Sequence, residues 1–197
     1  MNSTSDTYLS IASASKGIYK ELGSKFLSFA YPIETEDEAK KIISGLKKEY
    51  FDARHHCYAW RLGLAGEPYR INDDGEPSST AGRPIYSQLL SQKLSDIIVV
   101  VIRYFGGVKL GVPGLIRAYK SATQDALANA EVIEKIAGEC FTIQFGYLRM
   151  NDVMKTLKDL GISPIKQEFD LECTMVVRVR LTQIEEFRKQ LAFCQIK

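Results

Sequence analysis

Residues Ile97–Phe105 read IIVVVIRYF, and no other stretch of the chain restricts the fold as much. The first six are all aliphatic and β-branched, which suits a strand buried on both faces rather than one with a wet side. A sheet must therefore be built around this strand. Six residues is also far short of the ~20 that cross a membrane as a helix. The N-terminus, Met1–Tyr8, is polar and has no apolar core of signal-peptide length. The four cysteines are scattered without paired spacing, which argues against a disulfide framework or a zinc site. A cytoplasmic protein with reduced thiols, no membrane contact and no metal or cofactor is expected.

The chain has 197 residues, 45% hydrophobic and 25% charged, room for one large folded domain or two small ones. Around the buried strand, the first half alternates strands and helices. Tyr8–Ala14, Lys25–Tyr31 and His56–Leu64 read as strands. Thr35 and Glu38 form a capping box for a helix from Glu36, with Ala39, Ile42, Ile43, Leu46 and Tyr50 as its apolar stripe. Gly66–Gly82 reads as a long polar loop without secondary structure. A short helix, Pro84–Leu94, is expected to be capped by Ser78, Ser79 or Thr80. A longer one, Leu115–Ala130, buries Leu115, Ala118, Tyr119, Ala122 and Ala126.

A charged turn at Glu134–Gly138 divides the chain into domains 1–134 and 138–197. Beyond it come a strand (Cys140–Tyr147), a helix (Asp152–Leu160, capped by Asn151), two strands, and a helix capped by Thr182 with Glu185. This β-α-β-β-α order is a ferredoxin-like split unit with room only for a stub of its last strand at Gln195–Lys197. The class is α+β.

The net charge of +2 excludes a globally basic nucleic-acid binder, so any electropositive surface must be local. Arg83, Lys93, Arg103, Lys109, Arg117 and Lys120 face a single acid, Asp96, within Arg83–Lys120. Tyr104 and Phe105 lie among them, and basic residues interleaved with aromatics suit single-stranded nucleic acid. A solvated face over core aromatics is the plainer alternative.

Gly106, Gly107, Gly111 and Gly114 precede a helix. Val112 and Pro113 stand where a Walker loop needs Lys and Ser/Thr, so an NTPase loop is rejected. Two readings remain: backbone N–H groups cradling an anion at the helix N-terminus, or a tight crossover that needs glycine sterically. The acidic loop Asn72–Glu76 offers Asp73, Asp74 and Glu76. An EF-hand fails on spacing, leaving a Mg²⁺ site or a solvated Asx turn. His55 and His56 point to opposite faces of a strand, one into the core and one toward the polar loops.

These residues resemble the IMPACT/YigZ family. The resemblance is carried by Arg54-His55-His56-Cys57-Tyr58-Ala59-Trp60, Asp73-Asp74-Gly75-Glu76-Pro77, Thr80-Ala81-Gly82-Arg83-Pro84 and, above all, Arg103-Tyr104-Phe105-Gly106-Gly107-Val108-Lys109-Leu110-Gly111. Gly114-Leu115-Ile116-Arg117-Ala118-Tyr119 extends it, and the likeness spans most of Gly23–Leu127. The C-terminal unit resembles the small second domain of bacterial members. The resemblance implies an N-terminal ribosomal protein S5 domain 2-like fold followed by a small ferredoxin-like domain, like domain V of elongation factor G. It also implies regulation of translation through ribosome or RNA contact. Family members often have a second glycine where Pro113 stands and a small residue or glycine at Ser79, and no catalytic set carries over. The alternative is an enzyme acting on a phosphorylated or anionic small molecule held at the glycine loop.

Overall fold

The computed structural model describes residues 6–197. In chain order the elements are β1 (Thr7–Ile11), β2 (Ser15–Glu21), β3 (Ser24–Pro32), α1 (Glu36–Glu49), β4 (His55–Arg61), β5 (Tyr69–Asn72), α2 (Gly82–Ser91), β6 (Ile97–Tyr104), α3 (Gly111–Ala128) and β7 (Val132–Ile136). Then follow β8 (Gly138–Gly146), α4 (Met150–Asp159), β9 (Pro164–Glu168), β10 (Glu172–Arg180), α5 (Ile184–Gln190) and β11 (Gln195–Ile196). Two compact units result: residues 8–135, and residues 136–197 together with Asp6 and Thr7.

In the first unit β6 is the centre of a five-stranded antiparallel sheet ordered β2-β3-β6-β4-β5. Its alternation feeds two cores. Ile97, Val99 and Val101 face a cluster that includes Ile85, Leu89, Leu115 and Tyr119 of α2 and α3. Ile98, Val100 and Ile102 face Ala39 and Leu46 of α1, with Trp60 and Phe29. Every one of these six β6 residues is fully buried, as a doubly covered strand requires. The capping box of α1 is present, with the Glu38 N–H on Thr35 Oγ1 at 3.2 Å and the Thr35 N–H on Glu38 Oε2 at 3.3 Å.

Three local expectations need correction. β2 occupies residues to which no element is assigned above, and β5 lies inside the stretch Gly66–Gly82 read as structureless. The third concerns α3, which starts at Gly111 rather than Leu115, so Val112, Pro113 and Gly114 belong to its first turn. Pro113 is tolerated there because first-turn N–H groups have no intrahelical partner.

In the second unit the sheet order β11-β8-β10-β9 with α4 and α5 as crossovers is the ferredoxin-like arrangement. Cys173, Met175, Val177 and Val179 of β10 line one buried face, as the period of two requires. The closing strand is indeed a stub, pairing Gln195 with Gln144 and Ile196 with Ile143. Thr182 does not cap α5. Its hydroxyl donates to Asp6 Oδ2 at 2.6 Å, and Arg180 donates to both Asp6 oxygens at 2.9 and 3.1 Å. Asn151 likewise lies inside α4, whose N-cap is Arg149. Among the described residues no helix is long and apolar enough to cross a membrane.

Candidate functional site

The polar residues at the ends of β4 and β6 and the two loops beside them meet in the first unit. Gly75, Glu76 and Pro77 from one loop, and Lys109, Leu110 and Gly111 from the other, line a single cleft of about 500 Å³. Arg54, His55, Arg103 and Phe105 complete its polar and aromatic walls, and Val112 and Leu115 its apolar end.

Under the cleft runs a buried chain of hydrogen bonds. Arg103 Nη1 donates to Glu76 Oε1 at 2.6 Å, and the Tyr119 hydroxyl donates to the same oxygen at 2.9 Å. Cys57 Sγ lies 3.3 Å from the Tyr119 hydroxyl and 3.0 Å from the Asp73 carbonyl oxygen. The Arg103 and Glu76 side chains are 7% and 4% exposed, so this pair is desolvated and needs both partners. The Arg103 guanidinium sits 5.4 Å from the Phe26 ring centroid and 5.6 Å from that of Phe105. Its Nε has no acceptor. Burial pushes the Cys57 thiol and the Tyr119 hydroxyl far up, so both are neutral and neither is poised as a nucleophile or base.

The acidic loop is not simply solvated. Asp73 accepts from the N–H groups of Ser79, Ala81 and Gly82 at 2.8–3.0 Å, which makes it the cap of α2 in place of Ser78, Ser79 or Thr80. Asp74 accepts from the His56 N–H at 2.7 Å and from Lys47 Nζ at 2.8 Å. The Asx turn exists, but Asn72 makes it, accepting the Asp74 N–H at 2.7 Å. Every carboxylate of the loop thus accepts from protein donors.

His56 is the inward histidine, buried with Nε2 3.1 Å from the Tyr50 carbonyl oxygen; His55 Nδ1 lies 2.8 Å from the Asp74 carbonyl oxygen. Burial holds the His56 imidazole below its ordinary 6.5, against the upward pull of the Asp74 carboxylate and the Tyr50 carbonyl. The unfolded chain then binds the proton first, so this contribution to stability is present above about pH 6.5 and is lost as the pH falls below it. Urea unfolding followed through Trp60, the sole tryptophan and a residue of this unit's core, is expected to show the midpoint dropping from about pH 7 to about pH 5. His56→Gln should flatten that drop; an unchanged drop would assign it to other groups.

The second unit responds in a lower window. Side-chain hydrogen bonds from Arg180 and Thr182 hold the Asp6 carboxyl at about 2. Its contribution is present above the ordinary 3.8 and is lost as the pH falls from there through about 2.

The glycine cradle needs the clearest correction. The Gly106 N–H donates to Ser24 Oγ at 3.2 Å, and a Cβ at Gly106 would lie 1.9 Å from the Gly23 carbonyl carbon. Gly106 is therefore required sterically, where the chain presses on the Leu22–Gly23 turn joining β2 and β3. Gly114 is buried against Leu110 in the first turn of α3. Neither amide is free for an anion. Gly107 and Gly111 are exposed with φ of 89° and 67°, and only Gly111 lines the cleft.

Of the basic residues, Lys109 and the buried Arg103 line the cleft, and Arg83 and Lys120 stand exposed on α2 and α3 outside it. Arg117 is ion-paired with Glu21, which neutralises it as a free phosphate contact. Tyr104 is half-buried, and its hydroxyl donates to Asp52 at 2.7 Å; that bond pushes its pKa up to about 12. The histidine expected to reach the polar loops is His55, and sequence reasoning missed Arg54 as a cleft residue. The adjoining Arg54-His55-His56 run at the start of a strand was the available signal.

The sequence model of the Impact N-terminal domain matches residues 22–127, a span that holds the whole cleft. An IMPACT family member of Haemophilus influenzae is 32% identical over 173 residues, covering 85% of this chain and 82% of its own. The IMPACT family member YigZ of Escherichia coli is 30% identical over 171 residues, covering 86% and 84%. YvyE of Bacillus subtilis is 42% identical over 112 residues, 57% of this chain and 52% of its own. A crystal structure of a hypothetical protein superposes with a TM-score of 0.74 at 27% identity, over 97% of this chain and 96% of that one.

Proposed function

The chain belongs to the IMPACT family, and from that membership we propose that it regulates translation by binding RNA, on the ribosome, through the cleft between its two loops. The observation that carries this reading is the cleft's charge. Arg54 and Lys109 line it as exposed cations with no acidic partner among the described residues. Asp73, Asp74 and Glu76, the nearby acids, are bound by protein donors. Phe105, 52% exposed, adds a ring on which a base can stack. Arg83 and Lys120 are further exposed cations of the same unit, outside the cleft.

Two phosphate charges neutralised by Arg54 and Lys109 would give log K against log salt a slope of about −1.4 on single-stranded RNA. Fluorescence anisotropy of a labelled oligonucleotide across a salt series tests this. Arg54→Ala with Lys109→Ala should bring the slope close to zero, whereas Arg117→Ala should change it little because Glu21 already holds that charge. Affinity independent of salt and of Arg54 and Lys109 would remove the reading.

A further inference from the structure

We propose that the cleft takes a nucleoside 5′-monophosphate, as the phosphorylated end of an RNA chain; the RNA part rests on the reading above, and the nucleotide part on the cleft alone. A volume of about 500 Å³ falls within the range of small-molecule sites, about 300–1,000 Å³, and holds a single nucleotide rather than a length of duplex. Three cationic groups, Arg54, Lys109 and Arg103, meet one carboxylate, Glu76, leaving two positive charges. A phosphate monoester carries close to two negative charges at neutral pH, and a chain-internal diester one, so charge matching selects the end group.

A second observation is independent of the rim. Arg103 is 6% exposed, forms part of the cleft wall, and carries an Nε–H with no acceptor. The Nε itself is closed to solvent, so what Arg103 offers a ligand in the cleft is its charge. The guanidinium is fixed in place, with Nη1 on Glu76 and the Phe26 and Phe105 rings beside it. Phe105 then serves twice, as a wall for Arg103 and as a half-exposed ring for a base. Val112 and Leu115 give the remaining lining the apolar character that a base or ribose carbon face needs.

Isothermal titration of the full chain with AMP, adenosine and inorganic phosphate tests the nucleotide part. AMP should bind at least about tenfold more tightly than either fragment, since both the charge pair and the stack contribute. Lys109→Ala with Arg54→Ala should erase the preference for AMP over adenosine, and Phe105→Ala should weaken both. All three side chains are exposed, and an unchanged thermal midpoint confirms folding. Equal affinity for AMP and adenosine, or no binding of AMP, overturns the proposal.

Oligoadenylates with a 5′-phosphate and with a 5′-hydroxyl test the RNA end. The phosphorylated form should bind more tightly. Equal oligonucleotide affinities overturn the end-group assignment and leave the RNA reading standing. AMP bound with neither oligonucleotide bound supports the cleft chemistry, assigns it to the free nucleotide, and removes the RNA reading.

Discussion

Replacing Glu76 by Ala is expected to cost about 3–5 kcal/mol of unfolding free energy in the first unit. The side chain accepts from Arg103 Nη1 and from the Tyr119 hydroxyl at once, and all three groups are buried. Its loss leaves a guanidinium between two phenyl rings with no counter-charge, and a phenol with no acceptor. Urea unfolding monitored at Trp60 reads the change directly. Glu76→Gln keeps an acceptor oxygen but not the charge, so its loss should be smaller. A loss below about 1 kcal/mol for the Ala variant would mean that water or another group takes over, and that the cleft floor does not depend on this pair.

Asp73→Ala ranks second, at about 2–3 kcal/mol. Three N–H groups at the start of α2 converge on its two oxygens, and the helix dipole adds to the attraction. The loss should appear in the same Trp60 transition. Ser78→Ala, at an exposed position, should change stability by less than about 0.5 kcal/mol. Equal losses for the two variants would return the cap to the serine side chains.

The pair Asp73 and Ser78 also shows what one sequence conveys. A Ser or Thr just before a helix is a local cap signal, and at Thr35 the local signal holds. At α2 the cap comes from eight and nine residues upstream, across a loop whose shape depends on Asn72 and on the left-handed Asp74 and Gly75. No pattern of fixed offsets reports such a contact. β6 was legible because six β-branched aliphatics leave one packing solution. β2 was not: Ser15, Gly17, Tyr19 and Glu21 point to the more buried side, with little apolar surface to mark a strand. Its place is set by α3 instead, since a Cβ on Gly17 would lie 2.3 Å from the Ala126 nitrogen.

The cleft was half legible. Glycines and basic residues drew attention to the right loops, but Gly106 and Gly114 serve backbone packing and two of the cations are spent on Glu76 and Glu21. Which cations stay free depends on which acids fold beside them, and that is tertiary information. Arg54, adjacent to the histidines and 49 residues before Arg103 in the chain, reaches the same cleft only because β4 pairs with β6.

Sedimentation with ribosomes across a salt series tests the central claim most directly. Wild-type protein is expected in the ribosomal pellet at low salt and in the supernatant as salt rises, with the Arg54→Ala, Lys109→Ala double variant in the supernatant throughout. Equal pelleting of wild type and double variant at every salt concentration would contradict the cleft as the RNA contact.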